Sequence, residues 1–224
     1  MPAERIIQLR ELLSEKFPSM RTRLEDAPTK AKYWPTGVLP LDEPLGGGLP
    51  KGTFTEVISN GSTSGSATLL RAILSCAAEE NQIVALVDGA DSLDVTQLDE
   101  GILARLLWVR CHSAEESLKA ADLLLRDSNL SLLLLDLINL PDAQLRRISP
   151  TTWYRFQRLI EETGTVCAIF TPRPMVSPAE ARITMQTRFS LNALDSPSDE
   201  LLKRLKVEVS TARQIQETTQ HNFA

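Results

Sequence analysis

The sequence predicts an α/β fold: a mostly parallel, twisted sheet flanked by helices, with antiparallel strands at its C-terminal edge and a helix ahead of it at the N-terminus. Three observations carry this. From Pro35 onward short apolar runs alternate with helical stretches, the chain order of strands joined by right-handed crossovers. Runs such as Leu132-Leu-Leu-Leu135 are apolar at every position, which suits strands covered on both faces. Near the end the period changes to two. Ile183, Met185, Phe189 and Leu191 alternate with polar neighbours across 182–191, and Leu205, Val207 and Val209 do so across 205–210. A single wet face of that kind suits an antiparallel addition to a sheet edge.

Taken in order, residues 3–17 read as an amphipathic helix with Ile6, Leu9, Leu13 and Phe17 on one face, Pro2 in the first turn and Pro18 as its stop. The basic, proline-punctuated stretch that follows reads as a linker, so 1–34 form an N-terminal helix and linker and 35–210 the core. Strands are expected at 53–58, 83–88, 106–110, 131–136 and 165–170. Helices are expected at 65–79, 95–104, 114–127 and 151–163. Ser113-Ala-Glu-Glu116 is a capping box for the third of these, and Gly164 supplies the left-handed stop of the fourth. The tail, 211–224, lacks apolar periodicity and is expected to fray.

Composition narrows the function. The 224 residues are 42% hydrophobic and 24% charged, too apolar for a disordered chain and enough for one substantial core. A net charge of −5 argues against a surface that grips nucleic acid on all sides, and 5% aromatic residues leave little for stacking single strands. Cys76, Cys111 and Cys167 have neither metal nor disulfide spacing, fit a reducing cytosol, and read as small buried hydrophobes. His112 and His221 are isolated, so no metal set or catalytic triad assembles on spacing. Trp34, Trp108 and Trp153 read as core or interface anchors. No stretch has the length of a membrane span or the form of a secretory signal, and a cytoplasmic protein is expected.

The most informative segment runs from Pro35-Thr-Gly-Val-Leu-Pro-Leu-Asp42 through Leu45-Gly-Gly-Gly-Leu-Pro-Lys-Gly52 to the strand Thr53–Ile58 and the loop that follows it. A strand, a Gly/Ser-rich loop and a helix place backbone amides and a helix N-terminus where a phosphate cradle would sit. The pattern Gly-x4-Gly-Lys-Ser/Thr falls on Asn60, Gly61, Ser62, Thr63, Ser64, Gly65, Ser66 and Ala67. Asn60 replaces the first glycine, Ser66 the lysine that reaches the β/γ-phosphates, and Ala67 the hydroxyl that ligates Mg²⁺. The lost lysine alone removes roughly 1.5–3 kcal/mol of phosphate affinity.

Across about 35–210 these motifs resemble the RecA recombinase core. The resemblance places the water-activating glutamate at Ala90, within Val84-Ala-Leu-Val-Asp-Gly-Ala-Asp-Ser-Leu-Asp94, the Walker B aspartate at Asp136, and the γ-phosphate-sensing glutamine near Pro172. It therefore implies a RecA fold without ATP hydrolysis and with no bound cofactor, weak ATP or anion binding by the serine-rich loop remaining open. Gly46-Gly-Gly-Leu-Pro-Lys-Gly-Thr-Phe-Thr-Glu56, Leu107-Trp-Val-Arg-Cys111, Leu145-Arg-Arg147, Pro172-Arg-Pro174 and Ser177-Pro-Ala179 resemble the ImuA family, SulA/RecA-like accessory proteins of bacterial damage-induced mutagenesis. That implies a non-catalytic adaptor in the SOS response and DNA damage tolerance. Its partners would be an ImuB-like Y-family polymerase homologue and an error-prone polymerase in translesion synthesis.

Charge is unevenly placed. From Ala72 to Ala104 there are seven acidic residues and no basic one, whereas from Gln144 onward eleven basic residues face eight acidic ones. Such asymmetry suits docking or head-to-tail packing of copies. Arg146, Arg147, Arg173 and Arg182 flank the stretches that resemble recombinase DNA-binding loops, so weak DNA binding or modulation of recombinase filaments is one alternative. A divergent ATPase recruiting Lys51 or a neighbouring subunit is another, and a cell-division inhibitor of the SulA type a third.

Overall fold

The computed structural model describes residues 32–212 other than 62, 128, 194 and 195. Contacts divide the chain into Met1–Lys32 and Tyr33–Ala224. The helix expected over 3–17, most of the linker and the tail beyond 212 lie outside the described residues.

The core starts with a hairpin of two short strands, β1 (Tyr33–Trp34) and β2 (Leu49–Pro50), paired antiparallel around a short helix, α1 (Leu39–Asp42). The spacing of the Thr-Gly-x-x-x-Leu-Asp motif has a direct cause here. Thr36 donates from its amide and its hydroxyl to the Asp42 carboxylate, at 3.0 and 2.7 Å, closing the turn over α1. Tyr33 and Trp34, read in sequence as the end of the linker, are thereby part of the core, with Trp34 buried. The return strand demands glycine: a Cβ on Gly48 would lie 2.0 Å from the Trp34 carbonyl oxygen.

Next come β3 (Phe54–Ile58), α2 (Ser66–Glu79), β4 (Val84–Asp88), α3 (Glu100–Leu103), β5 (Leu106–Arg110), α4 (Ala114–Arg126) and β6 (Leu132–Asp136). After these lie α5 (Asp142–Leu145), α6 (Pro150–Thr163), β7 (Val166–Thr171), β8 (Ala179–Met185), α7 (Ser198–Lys203) and β9 (Val207–Thr211). The seven long strands form one sheet in the order β5-β4-β6-β7-β3-β8-β9, parallel except for β9. The mostly parallel sheet flanked by helices is the fold class the sequence predicts. Of the two C-terminal strands only β9 runs antiparallel; β8 pairs parallel with β3 before turning back. The loop 172–178 is long enough to carry the chain over for a parallel return.

Apolar runs divide cleanly between two cores. Leu132 and Leu134, Val84 and Leu86, and Val166, Ala168 and Phe170 face α2 and the hairpin. Leu133 and Leu135, Ala85 and Val87, and Cys167 and Ile169 face α4 and α6. This is why runs such as Leu132–Leu135 carry no polar alternation. On the second side Trp153 is 1% exposed and packs edge-on against Phe54 and Phe156, with centroids 6.5 and 6.3 Å apart. Cys111 and Cys167 are buried as expected, but Cys76 is half exposed, its thiol donating to the Pro35 carbonyl at 3.5 Å.

The capping box forms with one shift. Ser113 Oγ accepts from the Glu116 amide at 3.3 Å, while Glu116 reaches one residue further back, to the His112 amide at 2.9 Å. Gly164 ends α6 at φ 70°. The single helix expected over 95–104 is instead a 3-10 turn, Val95–Gln97, followed by α3. Asp94 and Asp99 each cap a separate start, at the Thr96 and Ile102 amides, which breaks the helix in two. Among the described residues no helix is long and apolar enough to cross a membrane.

Candidate functional site

In open α/β sheets ligands bind beyond the carboxyl ends of the strands, where the chain order reverses. Here that edge gathers the loop after β3, Asp88 at the end of β4, Asp136 at the end of β6 and Thr171 at the end of β7. Their exits are tied together: Ser59 N donates to Thr171 O, Leu137 N to Phe170 O and Gly89 N to Asp136 O, each at 2.9 Å. The last contact needs glycine, since a Cβ on Gly89 would lie 2.7 Å from that same oxygen.

The loop after β3 leads into α2 with Gly65 as a left-handed N-cap at φ 88°, and neither a capping side chain nor an acid occupies the first turn. Asn60 and Gly61 are exposed, Thr63 is half-buried, and Ser64, Gly65 and Ser66 are buried; Ala67 on the first turn is exposed. Ser62 lies outside the described residues. The loop bonds to itself: the Ser59 and Ser64 hydroxyls pair, and Ser64 Oγ also donates to Gly61 O at 2.8 Å. Lys51 cannot serve this loop within one chain. It precedes β3 while the loop follows it, and five residues at about 3.3 Å each separate the two ends by more than a lysine side chain spans.

Two aspartates stand side by side in register, Asp88 and Asp136. Asp88 is buried and accepts from the Ser92 and Leu93 amides, both at 2.8 Å, and from Trp108 Nε1 at 3.3 Å. Those bonds make it the organiser of the loop after β4. Asp136 is half-buried, and among the described residues its side chain accepts only from the Ile138 amide, at 2.9 Å. Burial, reinforced by the neighbouring Asp88 charge, pushes its carboxyl up to about 6. Ala90 follows Asp88 and packs on the second core. Beyond it Asp91, at φ 50°, forms a two-pronged pair with Arg110 at 2.6 and 2.7 Å, and Arg110 lies 5.0 Å over the Trp108 ring. The guanidinium holds the Asp91 carboxyl below the usual carboxylate range.

The arginines divide into two sets. Arg146 and Arg173 share one carboxylate, Asp142, at 2.5 and 2.9 Å, so the loop after β6 and the loop after β7 meet there. Arg147 is exposed and has no ion-pair partner among the described residues. Two guanidinium charges exceed what Asp142 neutralises, and Arg173 Nη1 is buried without a hydrogen-bond partner. Arg182 lies apart from this group. It sits on β8 opposite Glu56 on β3 and pairs with it at 3.0 Å, so its charge is neutralised inside the fold.

Glu56 is the residue that sequence reasoning missed. It is fully buried, and its Oε1 accepts from Thr171 Oγ1 at 3.1 Å, Met175 N at 2.7 Å and Val176 N at 3.0 Å. Arg182 completes the lock by donating to Val176 O at 3.1 Å. Four donors on one carboxylate fix the loop that carries Pro172 and Arg173. The available signal was a lone acid inside an apolar strand, Phe-Thr-Glu-Val-Ile, which a covered strand tolerates only with partners.

A parallel sheet with a glycine-rich loop between one strand and the next helix, and an aspartate at the end of a parallel strand one place removed from it, fits the RecA-like class of α/β proteins. The family model of the RecA N-terminal domain matches residues 18–145, and the chain belongs to that family. It is 34% identical to Protein RecA of Bifidobacterium breve over 118 residues, 51% of this chain and 30% of that protein. It is 31% identical to Protein RecA of a Picosynechococcus species over 117 residues, 51% of this chain and 33% of that protein. With Protein RecA of Desulfotalea psychrophila the identity is 34% over 104 residues, 45% and 29% of the two chains. The chain thus spans about a third of the length of these curated relatives.

Proposed function

We propose that this chain is a non-catalytic, RecA-fold adaptor in DNA damage tolerance and SOS mutagenesis, working in the bacterial cytoplasm through contacts with translesion polymerase components. The observation that carries the reading is the loop between β3 and α2. A nucleoside triphosphate with Mg²⁺ needs an ammonium at Ser66 and a hydroxyl at Ala67, and the residues present do not fit it. Alanine at position 90 leaves no carboxylate to activate water there. Similarity to proteins named RecA supports a role connected with DNA recombination or repair. The ImuA-like motifs supply the narrower assignment and the ImuB-like partner.

The test is co-purification of the full chain with an ImuB-like Y-family polymerase homologue, together with phosphate release from Mg-ATP. Binding at micromolar concentration without turnover is expected. Turnover that disappears in Asp136→Ala would replace the adaptor by a divergent ATPase. The meeting of two arginine-bearing loops at Asp142 favours a second reading, contact with single-stranded DNA. In that case affinity falls steeply with added salt and is lost in the Arg146→Ala/Arg147→Ala variant; a flat salt response retires it.

A further inference from the structure

A feature outside the sheet bears on the loop between β3 and α2. Between β8 and β9 the chain leaves the sheet and returns, and the two ends of this excursion are fastened together. Gln186 N donates to Lys206 O at 2.8 Å, and Lys206 N donates to Thr187 Oγ1 at 2.7 Å. Within the excursion Phe189, Ala193 and Leu201 are buried in a small core of their own, with the Arg204 guanidinium 5.7 Å over the Phe189 ring, while Leu205 packs both against them and against the larger core that holds α2. Compact loops of this kind, closed at the base and packed on their own side chains, move as units.

This unit rests on the β3–α2 loop at several points. The Phe189 amide donates to the Thr63 carbonyl at 2.9 Å. Leu205 and Phe189 occupy the space beside Gly65: a Cβ there would lie 2.4 Å from Leu205 Cδ2 and 3.1 Å from Phe189 Cε2. One turn further along α2, Arg71 Nη1 donates to Ser198 Oγ at 2.8 Å.

We propose that the stretches 186–193 and 196–206 form an internal plug that holds the serine-rich loop in its closed shape, doing with the chain's own apolar side chains what a bound phosphate would do in a cradle open to ligand. The loop and the plug then open and close as one unit. Withdrawal of the plug frees Thr63 O and the flank of Gly65 and uncovers Phe189 and Leu205 together. The inference extends the non-catalytic reading of this loop. Its test needs no partner protein and no nucleotide, so its failure is separable from a failure to bind the ImuB-like protein.

Hydrogen exchange of the full chain reads it. In Phe189→Ala/Leu205→Ala, amides at 63–68 are expected to exchange about tenfold faster or more, with those of β4 and β6 unchanged. In Arg71→Ala, which leaves every apolar side chain in place, amides at 63–68 and 186–193 are expected to accelerate together, by roughly two- to fivefold. The proposal is overturned if 186–193 accelerate while 63–68 keep their wild-type rates, because the serine loop then holds itself. It is overturned equally if β4 and β6 accelerate as much as 63–68, because the excursion is then one more part of the global core.

Discussion

Asp88 and Asp136 end adjacent strands, carry the same carboxylate and are treated oppositely by their surroundings. The Asp88 carboxylate has four donors and an assigned place in a loop; that of Asp136 has, among the described residues, one amide and a like charge beside it. A folded-state pKa of about 6 means that the folded chain holds this proton more tightly than the unfolded chain does. The associated stability is present at pH values below the ordinary carboxylate pKa and is lost as pH rises through about 6. Asparagine keeps an acceptor for Ile138 N and removes the charge. Asp136→Asn is therefore expected to be more stable than wild type by about 3 kcal/mol near pH 8 and to approach it near pH 3, read from urea midpoints at the two pH values. The neighbouring glycine supplies an independent check on how tightly these strand ends meet. Gly89→Ala drives a Cβ against a backbone oxygen that has no room to retreat, and a loss of about 2–4 kcal/mol is expected in the same measurement.

At the scale of elements, the strands and the capped helices were legible because their causes are local. Gly164 stops α6 and Ser113 starts α4 with residues read directly from the chain. Asp94 and Asp99 were equally visible, but only the fold shows that each caps a start of its own and splits the helix expected over 95–104. The lock around Glu56 was not legible, because its partners Thr171, Met175, Val176 and Arg182 lie 115 to 126 residues away. For the same reason Arg182 read as a candidate DNA contact and not as the partner of Glu56. Glu56→Ala removes the acceptor for all four donors and leaves the Arg182 charge against the sheet. About 3 kcal/mol of stability is expected to go with it. Glu56→Gln, which retains one acceptor oxygen, is expected to lose less. Denaturant unfolding separates the two, and a loss confined to Ala would show that acceptance of the three loop donors outweighs the ion pair.

Among the described residues the sheet ends at β5 on one side and at β9 on the other, and the two edges are finished differently. At the β9 edge Glu208 on the strand and Lys206 just before it are exposed, charges that discourage further pairing. The β5 edge carries its one charge at its end, on Arg110, which is paired with Asp91. Leu107 is 44% exposed on it, with Ile83 and Leu103 exposed at its approach to the sheet, and the acidic stretch from Ala72 to Ala104 supplies the polar surface nearby in sequence. The uneven charge thus meets an exposed apolar residue at the β5 edge, and strand-end loops at which arginine exceeds its carboxylate partners. An apolar parallel edge also pairs with other chains during refolding, when neighbouring helices do not yet shield it. Replacing Leu107 by lysine puts a charge on that edge without touching a buried contact. Leu107→Lys is expected to change stability by no more than about 0.5 kcal/mol. It should also raise the yield of soluble chain on dilution from urea, measured by light scattering across a concentration series. Scattering that stays at the wild-type level would place the vulnerable surface elsewhere, and the charged β9 edge would be the next to alter.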